Sequence, residues 1–344
     1  MTTTPALDLG VELASSPEFQ WPIGVTSHPT SRKGPKNPWI EDPIERSSAQ
    51  SLVPLPRAGA PLAPFFEDAE YTELARNIPP DSELRRGDVD EWGRSQHIRD
   101  LAMKVYEPIY SKWFRAEWEG LEHIPESGGA LLVANHAGAI PSDAPVIMHG
   151  IEKELGRRVY GLAEYLFRAL PLLGTLWARA GGVPAHPDNA YRLLHDRKQL
   201  ALVFPEGSKG TGKLYRERYQ LRRFGRGGFV EIAMRAGVPI IPIAVVGAEE
   251  AMPIVMKSSR LAKLTGLPYL PITANMLALG PLGAVVPFPA KLRLKVLPPV
   301  SFDVPPDQER YGQSRVMDEA EAIRQQIQEA LYGMLRERRN VWFG

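Results

Sequence analysis

The sequence predicts an α/β fold with a mostly parallel central sheet and helices on both faces. Short apolar runs such as ALLVAN (130–135), QLALVFP (199–205) and VPIIPIAVVG (238–247) alternate with stretches of helical length. Strands that are buried on both faces are apolar along their whole length, and parallel pairing requires crossover connections that are usually helical. The chain has 344 residues, of which 44% are hydrophobic and 24% charged, so it can bury a sizeable core.

The first 60 residues differ from the rest of the chain. They are rich in proline, serine and threonine and show no sustained period, which indicates an extended or disordered arm before a single domain at 61–344. Residues 1–20 lack the basic start and apolar run of a signal peptide. No cysteine is present, which excludes disulfides and thiolate metal sites and is compatible with a reducing compartment.

The first helix is predicted at about residues 88–118. Apolar side chains recur there at helical spacing, accompanied by basic and aromatic residues. Two interpretations stay open: a helix packed on the core by aromatic anchors, or a helix at a lipid interface, where such residues are favoured. The apolar positions are Ile98, Leu101, Ala102, Val105, Ile109 and Trp113.

The remaining elements follow from the alternation of patterns along the chain. Predicted strands are ALLVAN, VYGLAE, QLALVFP, VPIIPIAVVG and KLRLKVLPPV, with GGVPA as a short extended piece. Predicted helices are APVIMHGIEKELG, LFRALPLLGTLWARAG, NAYRLLHDRK, GGFVEIAMRAG and an amphipathic C-terminal helix at about 316–339. The uncharged stretch 267–289 has the length of a bilayer span, but its five prolines would leave backbone groups unsatisfied in hydrocarbon. We predict loops or short strands there, either on a membrane surface or lining a buried tunnel or core.

Candidate functional residues begin with His136 in LLVANHAGAIPSDAPVI (131–147). His136 follows a predicted strand, and ligands bind at the carboxyl ends of strands in α/β sheets. Asp143 follows a Pro-Ser pair at the start of the next helix. A neutral imidazole oriented by a carboxylate can act as a general base. From these two residues alone, a purely structural histidine is an equal alternative.

A second candidate region begins at LVFPEGSKG (202–210). Glu206, Gly207 and Ser208 open a turn, and glycine lets the backbone approach a ligand closely. Residues 209–226 carry seven basic side chains against one acid, in a chain of net charge +1. Phosphate-like anions are the natural partners of such a cluster, and a solvated basic face is the alternative. The basic residues are Lys209, Lys213, Arg216, Arg218, Arg222, Arg223 and Arg226.

Several other chemistries lack their motifs. The chain has no G-x-S-x-G elbow, no H-E-x-x-H pair and no G-x-x-x-x-G-K-[ST] loop. We therefore predict neither a metal nor a cofactor, and no nucleic-acid partner, because the basic cluster matches no known reader motif.

Four blocks in order resemble the lysophospholipid and glycerolipid acyltransferase family, which includes 1-acylglycerol-3-phosphate acyltransferases. They are VANHAGAIPSD, LAEYLFRALPLLGTLWARAGGVPA, VFPEGSKG and VPIIPIAVVG, within about residues 115–300. Family members usually have four residues between the histidine and the aspartate; here six separate His136 from Asp143, so two must bulge. This longer spacing resembles the spacing found in one bacterial branch of the family. The resemblance implies the acyltransferase fold.

The resemblance also implies a reaction, in which an acyl group passes from acyl-CoA or acyl carrier protein to a hydroxyl of a lysolipid. His136 would be the base and Asp143 its orienting partner, with backbone N–H groups near Gly138 stabilising the oxyanion. Glu206, Gly207 and Ser208 would shape the acceptor site, and Lys209, Arg222, Arg223 and Arg226 would bind phosphate. The expected location is the cytoplasmic face of the cell membrane, by peripheral or monotopic contact. Two alternatives remain: a glycerol-3-phosphate or other alcohol acyltransferase, and a non-catalytic lipid-binding protein.

Overall fold

The computed structural model describes residues 87–163, 171–258, 270–308 and 310–344. The predicted arm and its boundary at residue 61 lie outside these ranges and stay predictions. The same holds for the first residues of the helix predicted in LFRALPLLGTLWARAG.

Seven of the described strands form one sheet in the order β1-β9-β6-β2-β5-β3-β4. Every neighbouring pair is parallel except β6 and β9, which are antiparallel. The predicted mostly parallel sheet is therefore confirmed. Strand bounds are β1 Glu117–Glu119, β2 Ala130–Ala134, β3 Val159–Ala163, β4 Gly182–Pro184, β5 Leu200–Val203, β6 Ile240–Val246 and β9 Arg293–Val296, with β7 Ile254–Ser258 and β8 Leu270–Thr273 as a separate antiparallel pair.

Strand β2 lies at the centre of the sheet and is buried on both faces. Leu132 pairs with Leu202 of β5 on one side and with Ile241 of β6 on the other. Because successive side chains point to opposite faces, Leu131 and Leu132 belong to two different cores. This two-sided burial explains why the strand sequences lack polar alternation.

Helices cover both faces, as predicted. One core includes side chains of the helices Gly228–Ala236 and Gln313–Glu337, and the other includes side chains of the helix Asp143–Leu155 and of the π-helical turn Ile109–Trp113. Helix bounds are α1 Gln96–Pro108, α2 Asp143–Leu155, α3 Pro171–Arg179, α4 Pro187–Tyr191, α5 Ser208–Thr211, α6 Gly228–Ala236, α7 Ala248–Ala251, α8 Ala274–Leu279 and α9 Gln313–Glu337. A π-helical turn, Ile109–Trp113, extends α1, and another, Arg192–Asp196, extends α4.

Helix α1 with its π-helical turn is shorter than the predicted span 88–118 and divides its apolar residues between core and solvent. Tyr110 and Phe114 are buried, so the aromatic anchors exist. Four of the six residues of the predicted apolar stripe are exposed instead, namely Leu101, Val105, Ile109 and Trp113, while Ile98 and Ala102 are partly buried. Core packing therefore explains the aromatic anchors of this helix but not the stripe.

The described part of the uncharged stretch is strand β8, helix α8 and a 3₁₀ turn, Gly280–Ala284. Its large apolar side chains point outward, because Leu277, Leu279, Leu282 and Val285 are exposed. A plain core or tunnel wall is thus a poor description of these four. Within the described ranges, none of the helices has both the length and the hydropathy needed to cross a bilayer.

At the amino ends of the strands, two arginines share one carboxylate. Glu152 of α2 binds Arg94 at 2.9 Å and Arg99 at 2.7 Å, and it also accepts the N–H of Val159, the first residue of β3. All three charged side chains are at most 9% exposed. We call Arg94, Arg99 and Glu152 the amino-end cluster.

Candidate active site

His136 and Asp143 meet at the carboxyl edge of the sheet, directly after β2. The Nδ1 atom of His136 lies 3.0 Å from Oδ2 of Asp143. Asp143 is fully buried, and the same oxygen accepts the N–H of Ala137 at 2.9 Å. With its proton on Nδ1, the imidazole presents the lone pair of Nε2, to which no described residue donates. The pair has the arrangement of an oriented general base.

The lengthened loop closes this contact by bulging outward. Gly138 has a φ of +83°, and a Cβ at that position would lie 3.1 Å from the carbonyl oxygen of Ala248. Ile140 at the tip of the bulge is exposed. Asp143 begins α2, and its Oδ1 accepts the N–H of Ala144, which holds the carboxylate towards the loop. Two extra residues therefore change the loop without separating the pair.

Two residues beside His136 contribute to its position and escaped the sequence analysis. The side-chain amide of Asn135 donates to the carbonyl of Val245 at 3.0 Å and accepts the N–H of Val245 at 2.7 Å. This pairing fixes the end of β2 to β6. Phe204 stacks on the imidazole with ring centroids 4.0 Å apart. In the sequence, each of these two residues stands at the end of an apolar run, and no local pattern indicates its contacts.

Glu206 faces inward and binds two segments of the site. One oxygen accepts the backbone N–H of His136 at 3.1 Å, and the other accepts the backbone N–H of Arg222 at 2.8 Å. Gly210 allows this approach, because a Cβ there would lie 2.8 Å from Cβ of Glu206 and 2.9 Å from the carbonyl oxygen of His136. The carboxylate is occupied by protein donors and shapes the site through them.

Glu206 also belongs to a buried group of three charges. The ammonium of Lys213 lies 3.3 Å from Glu206 and 2.8 Å from Glu249. We call Glu206, Lys213 and Glu249 the carboxyl-end cluster; their side chains are at most 6% exposed. Burial raises the pKa of Glu249 to about 7, although Lys213 acts in the opposite direction. Burial lowers the pKa of Lys213, but the two carboxylates outweigh it and raise that pKa above its ordinary value.

The other predicted substrate-binding side chains follow Glu206 in the chain and are exposed. Ser208, Lys209, Arg222, Arg223 and Arg226 all have solvent-accessible side chains. The guanidinium of Arg222 pairs with Glu217 at 2.8 Å. Gly207 has a φ of +54° in the turn after Glu206. Lys213, in contrast, is neutralised inside the protein, so the positive charge that this loop presents is smaller than the sequence count.

The loop is anchored by Tyr219, which is buried and has a φ of +61°. Its N–H donates to Glu249 at 2.5 Å, and its hydroxyl donates to the carboxylate of Glu250. Arg338, after the end of α9, donates to Glu250 at 2.9 Å. These partners are far apart in sequence, which is why no local pattern revealed them. The basic residues are thus presented by a fixed loop.

The chemistry available to this arrangement is base catalysis beside an anion-binding loop. Within the described ranges, the side chains of His, Asp and Glu form no group of three or more that could hold a metal ion. The predictions of no metal and no cofactor stay predictions.

A comparison with known proteins assigns the chain to a family. The acyltransferase family model matches residues 115–246, which include His136, Asp143 and Glu206. An uncharacterized protein of Mycobacterium tuberculosis is 35% identical over 322 residues, covering 89% of each chain. The chain therefore belongs to the acyltransferase family, and the resemblance inferred from the four blocks is confirmed.

Two further proteins are similar over part of the chain or in fold. The bovine protein named DGAT1/2-independent enzyme synthesizing storage lipids is 28% identical over 163 residues, which are 46% of this chain and 48% of that protein. The crystal structure of the 1-acyl-sn-glycerophosphate acyltransferase PlsC from Thermotoga maritima matches with a TM-score of 0.47 and 18% identity, covering 79% of this chain and 89% of that chain.

Proposed function

We propose that this acyltransferase moves a fatty acyl group from a thioester, acyl-CoA or acyl carrier protein, to a hydroxyl of a lysophospholipid or related glycerolipid. The observation that carries the proposal is the His136–Asp143 pair, with Nε2 of the imidazole left open at the carboxyl edge of the sheet. The family supports the reaction class, and the donor, the acceptor and the roles below are our inference.

In the proposed mechanism, the acceptor hydroxyl donates a hydrogen bond to Nε2 of His136. His136 takes this proton as the oxygen attacks the thioester carbonyl, and Asp143 stabilises the imidazolium that forms. The tetrahedral intermediate collapses, the carbon–sulfur bond breaks, and His136 returns the proton to the leaving thiolate. The products are an ester and a free thiol, and the base is regenerated.

The oxyanion of the intermediate needs a hydrogen-bond donor near Nε2. The N–H of Ala137 already donates to Asp143, and that of Ala139 donates to the carbonyl of Met252. The N–H of Gly138 has no acceptor among the described residues. Gly138 is therefore the backbone donor that we assign to the oxyanion.

The anionic part of a substrate has a matching surface beside the base. Glu206 links the backbone of Arg222 to that of His136. Arg222 belongs to the basic loop, residues 209–226, so this loop and the base are held by the same carboxylate. We assign Lys209, Arg222, Arg223 and Arg226 to the phosphate of the acceptor or of CoA, with Gly207 and Ser208 forming the turn between. A phosphate-bearing acceptor fits this charge.

We also propose peripheral contact with the inner face of the cell membrane. The exposed stripe of α1 carries Trp113, whose indole N–H donates to the carbonyl of Pro287 beside the exposed turn Gly280–Ala284. Trp342 packs edge-on against Phe288 and is itself exposed. Aromatic and aliphatic side chains gathered on one face are favoured at a lipid interface. In liposome flotation, the protein is expected to float with the vesicles; recovery only in the protein fractions would contradict this part.

The test of the reaction is a radiolabelled acyl-CoA assay with a panel of lysolipids, glycerol 3-phosphate and simple alcohols. The variant His136→Ala should lose about 10²–10⁴-fold in turnover because the general base is gone, while circular dichroism shows that it remains folded. His195→Ala is the matched control, since His195 forms an exposed pair with Asp196 at 2.9 Å on the π-helical turn after α4. Its turnover should equal that of the wild type.

The assay also separates the alternatives. Transfer to glycerol 3-phosphate or an alcohol, but not to any lysolipid, would replace the proposed acceptor. Lipid binding without turnover in the wild type would identify a non-catalytic lipid-binding protein, and full activity of His136→Ala would contradict the mechanism.

A further inference from the structure

The carboxyl-end cluster leaves one charge relationship that the proposed mechanism does not use. Lys213 contacts both Glu206 and Glu249, and all three side chains are withdrawn from solvent. A buried carboxylate that loses its cation takes up a proton or moves, since an unpaired charge is costly in that environment. Lys213 therefore helps to hold in place the carboxylate of Glu206, which faces His136.

Both oxygens of Glu206 are committed to the site. Oε1 accepts the N–H of His136, and Oε2 accepts the N–H of Arg222. A displaced Glu206 would loosen at least one of these contacts. The base and the anion-binding loop depend on the same group.

Glu249 helps to hold the ammonium of Lys213 beside Glu206. It accepts the N–H of Tyr219 at 2.5 Å, and Tyr219 in turn is bonded to Glu250. Arg338, directly after α9, donates to Glu250 at 2.9 Å. The ammonium is thus fixed between one acid that faces the base and one acid that faces the loop anchor.

We infer that Lys213 is a positioning residue for acyl transfer, which holds the carboxylate of Glu206 in place so that His136 and the basic loop keep their mutual geometry. The inference rests on the proposed function. Lys213 contacts no reacting atom and acts entirely through Glu206.

The test compares two variants that each remove one buried cation. Lys213→Met leaves the pair of carboxylates of the carboxyl-end cluster without their lysine. Arg94→Met is the matched control, because Arg94 is equally buried and binds Glu152 at the opposite edge of the sheet. Thermal unfolding, kcat and KM are measured for each, with KM determined for a phosphate-bearing acceptor.

Both variants should unfold at lower temperature, and the kinetics should separate them. Lys213→Met should lower kcat about 10–100-fold and also raise KM, because the base and the loop are both displaced. Arg94→Met should keep wild-type kcat and KM per folded molecule. Wild-type kinetics in Lys213→Met, with only a lower unfolding temperature, would overturn the inference.

A second readout does not depend on turnover. Selective ¹⁵N-histidine labelling gives signals for the seven histidines, and His136→Ala identifies the backbone amide of His136. This resonance should shift in Lys213→Met and stay in place in Arg94→Met, because its acceptor is Glu206. If the wild type shows no acyl transfer, the proposed function fails while this measurement still decides the role of Lys213. An unshifted amide would overturn that role.

Discussion

The two buried ion clusters occupy opposite ends of the same parallel strands and have opposite composition. The amino-end cluster places two cations, Arg94 and Arg99, on one carboxylate. The carboxyl-end cluster places two carboxylates, Glu206 and Glu249, on one cation. In each cluster, the single charge of one sign bonds to both charges of the other sign.

The difference lies in what the carboxylates hold besides their cations. Glu152 accepts the N–H of the first residue of β3, so it connects elements of regular structure. Glu206 and Glu249 accept N–H groups of His136, Arg222 and Tyr219, which lie in irregular segments. Buried N–H groups outside helices and sheets still need acceptors, and here buried acids supply them. The first cluster maintains the framework, whereas the second maintains the geometry of the site.

The largest effect on activity is expected at Asp143, the buried acid that contacts the imidazole itself. Asp143→Asn would keep the shape but remove the charge that orients His136, so we expect kcat to fall about 10²–10⁴-fold. Acyl-transfer kinetics measure this, with circular dichroism to verify folding. Less than a threefold change would show that the carboxylate does not assist the base.

The next effect is expected at Glu152, where stability and activity should separate. Glu152→Gln leaves Arg94 and Arg99 buried without a counter-charge, so the free energy of unfolding should fall by about 3–5 kcal/mol. Urea unfolding measures it, and kcat per folded molecule should stay at the wild-type value.

The matched control for Glu152 is Glu321, which forms a partly exposed pair with Arg324 on α9. Glu321→Gln should cost at most about 1 kcal/mol, because exposed ion pairs are weak. Equal losses in the two variants would mean that burial does not distinguish these ion pairs.

The sequence pointed to the candidate pair of His136 and Asp143 because the two residues are close in the chain. His136 and Asp143 flank one loop, and strand burial placed that loop at the carboxyl edge. The α/β sheet was equally predictable, since strands such as β2 and β6 are apolar throughout. The sequence also identified Glu206 as a turn residue that shapes the site, but it did not indicate that the side chain points inward.

What the sequence could not reveal depends on contacts between distant segments. Glu249 lies 36 positions after Lys213, and Arg338 lies 88 positions after Glu250. No periodicity connects such residues, so Lys213 was counted with the exposed basic side chains. The exposed stripe of α1 was also ambiguous, because helical spacing defines a face but does not say what covers it.

The carboxyl-end cluster should give stability a pH dependence through Glu249. Its pKa is raised to about 7 in the folded protein, above the ordinary value of 4.5. The folded state then binds more protons than the unfolded state between these values, so this contribution to stability is lost as pH rises from about 4.5 to 7.

Glu249→Gln tests this pH dependence, because glutamine cannot titrate. The free energy of unfolding of the wild type should fall by about 1–3 kcal/mol more than that of the variant between pH 5 and pH 8. Urea titrations at several pH values measure the difference. Parallel curves for the two proteins would assign the wild-type pH dependence to other groups.

The smallest effect is expected at Arg223, an exposed residue of the basic loop. An exposed cation is screened by solvent and salt, so Arg223→Ala should raise KM for a phosphate-bearing acceptor only about 2–5-fold, with kcat unchanged. The increase should shrink at high ionic strength and vanish for an uncharged acceptor. Arg315→Ala is the control, because Arg315 is exposed on α9, outside the basic loop, and should leave KM unaltered. Equal effects on charged and uncharged acceptors would show that the loop contributes shape instead of charge, and the buried lysine would then be the cation of that loop that matters for the reaction.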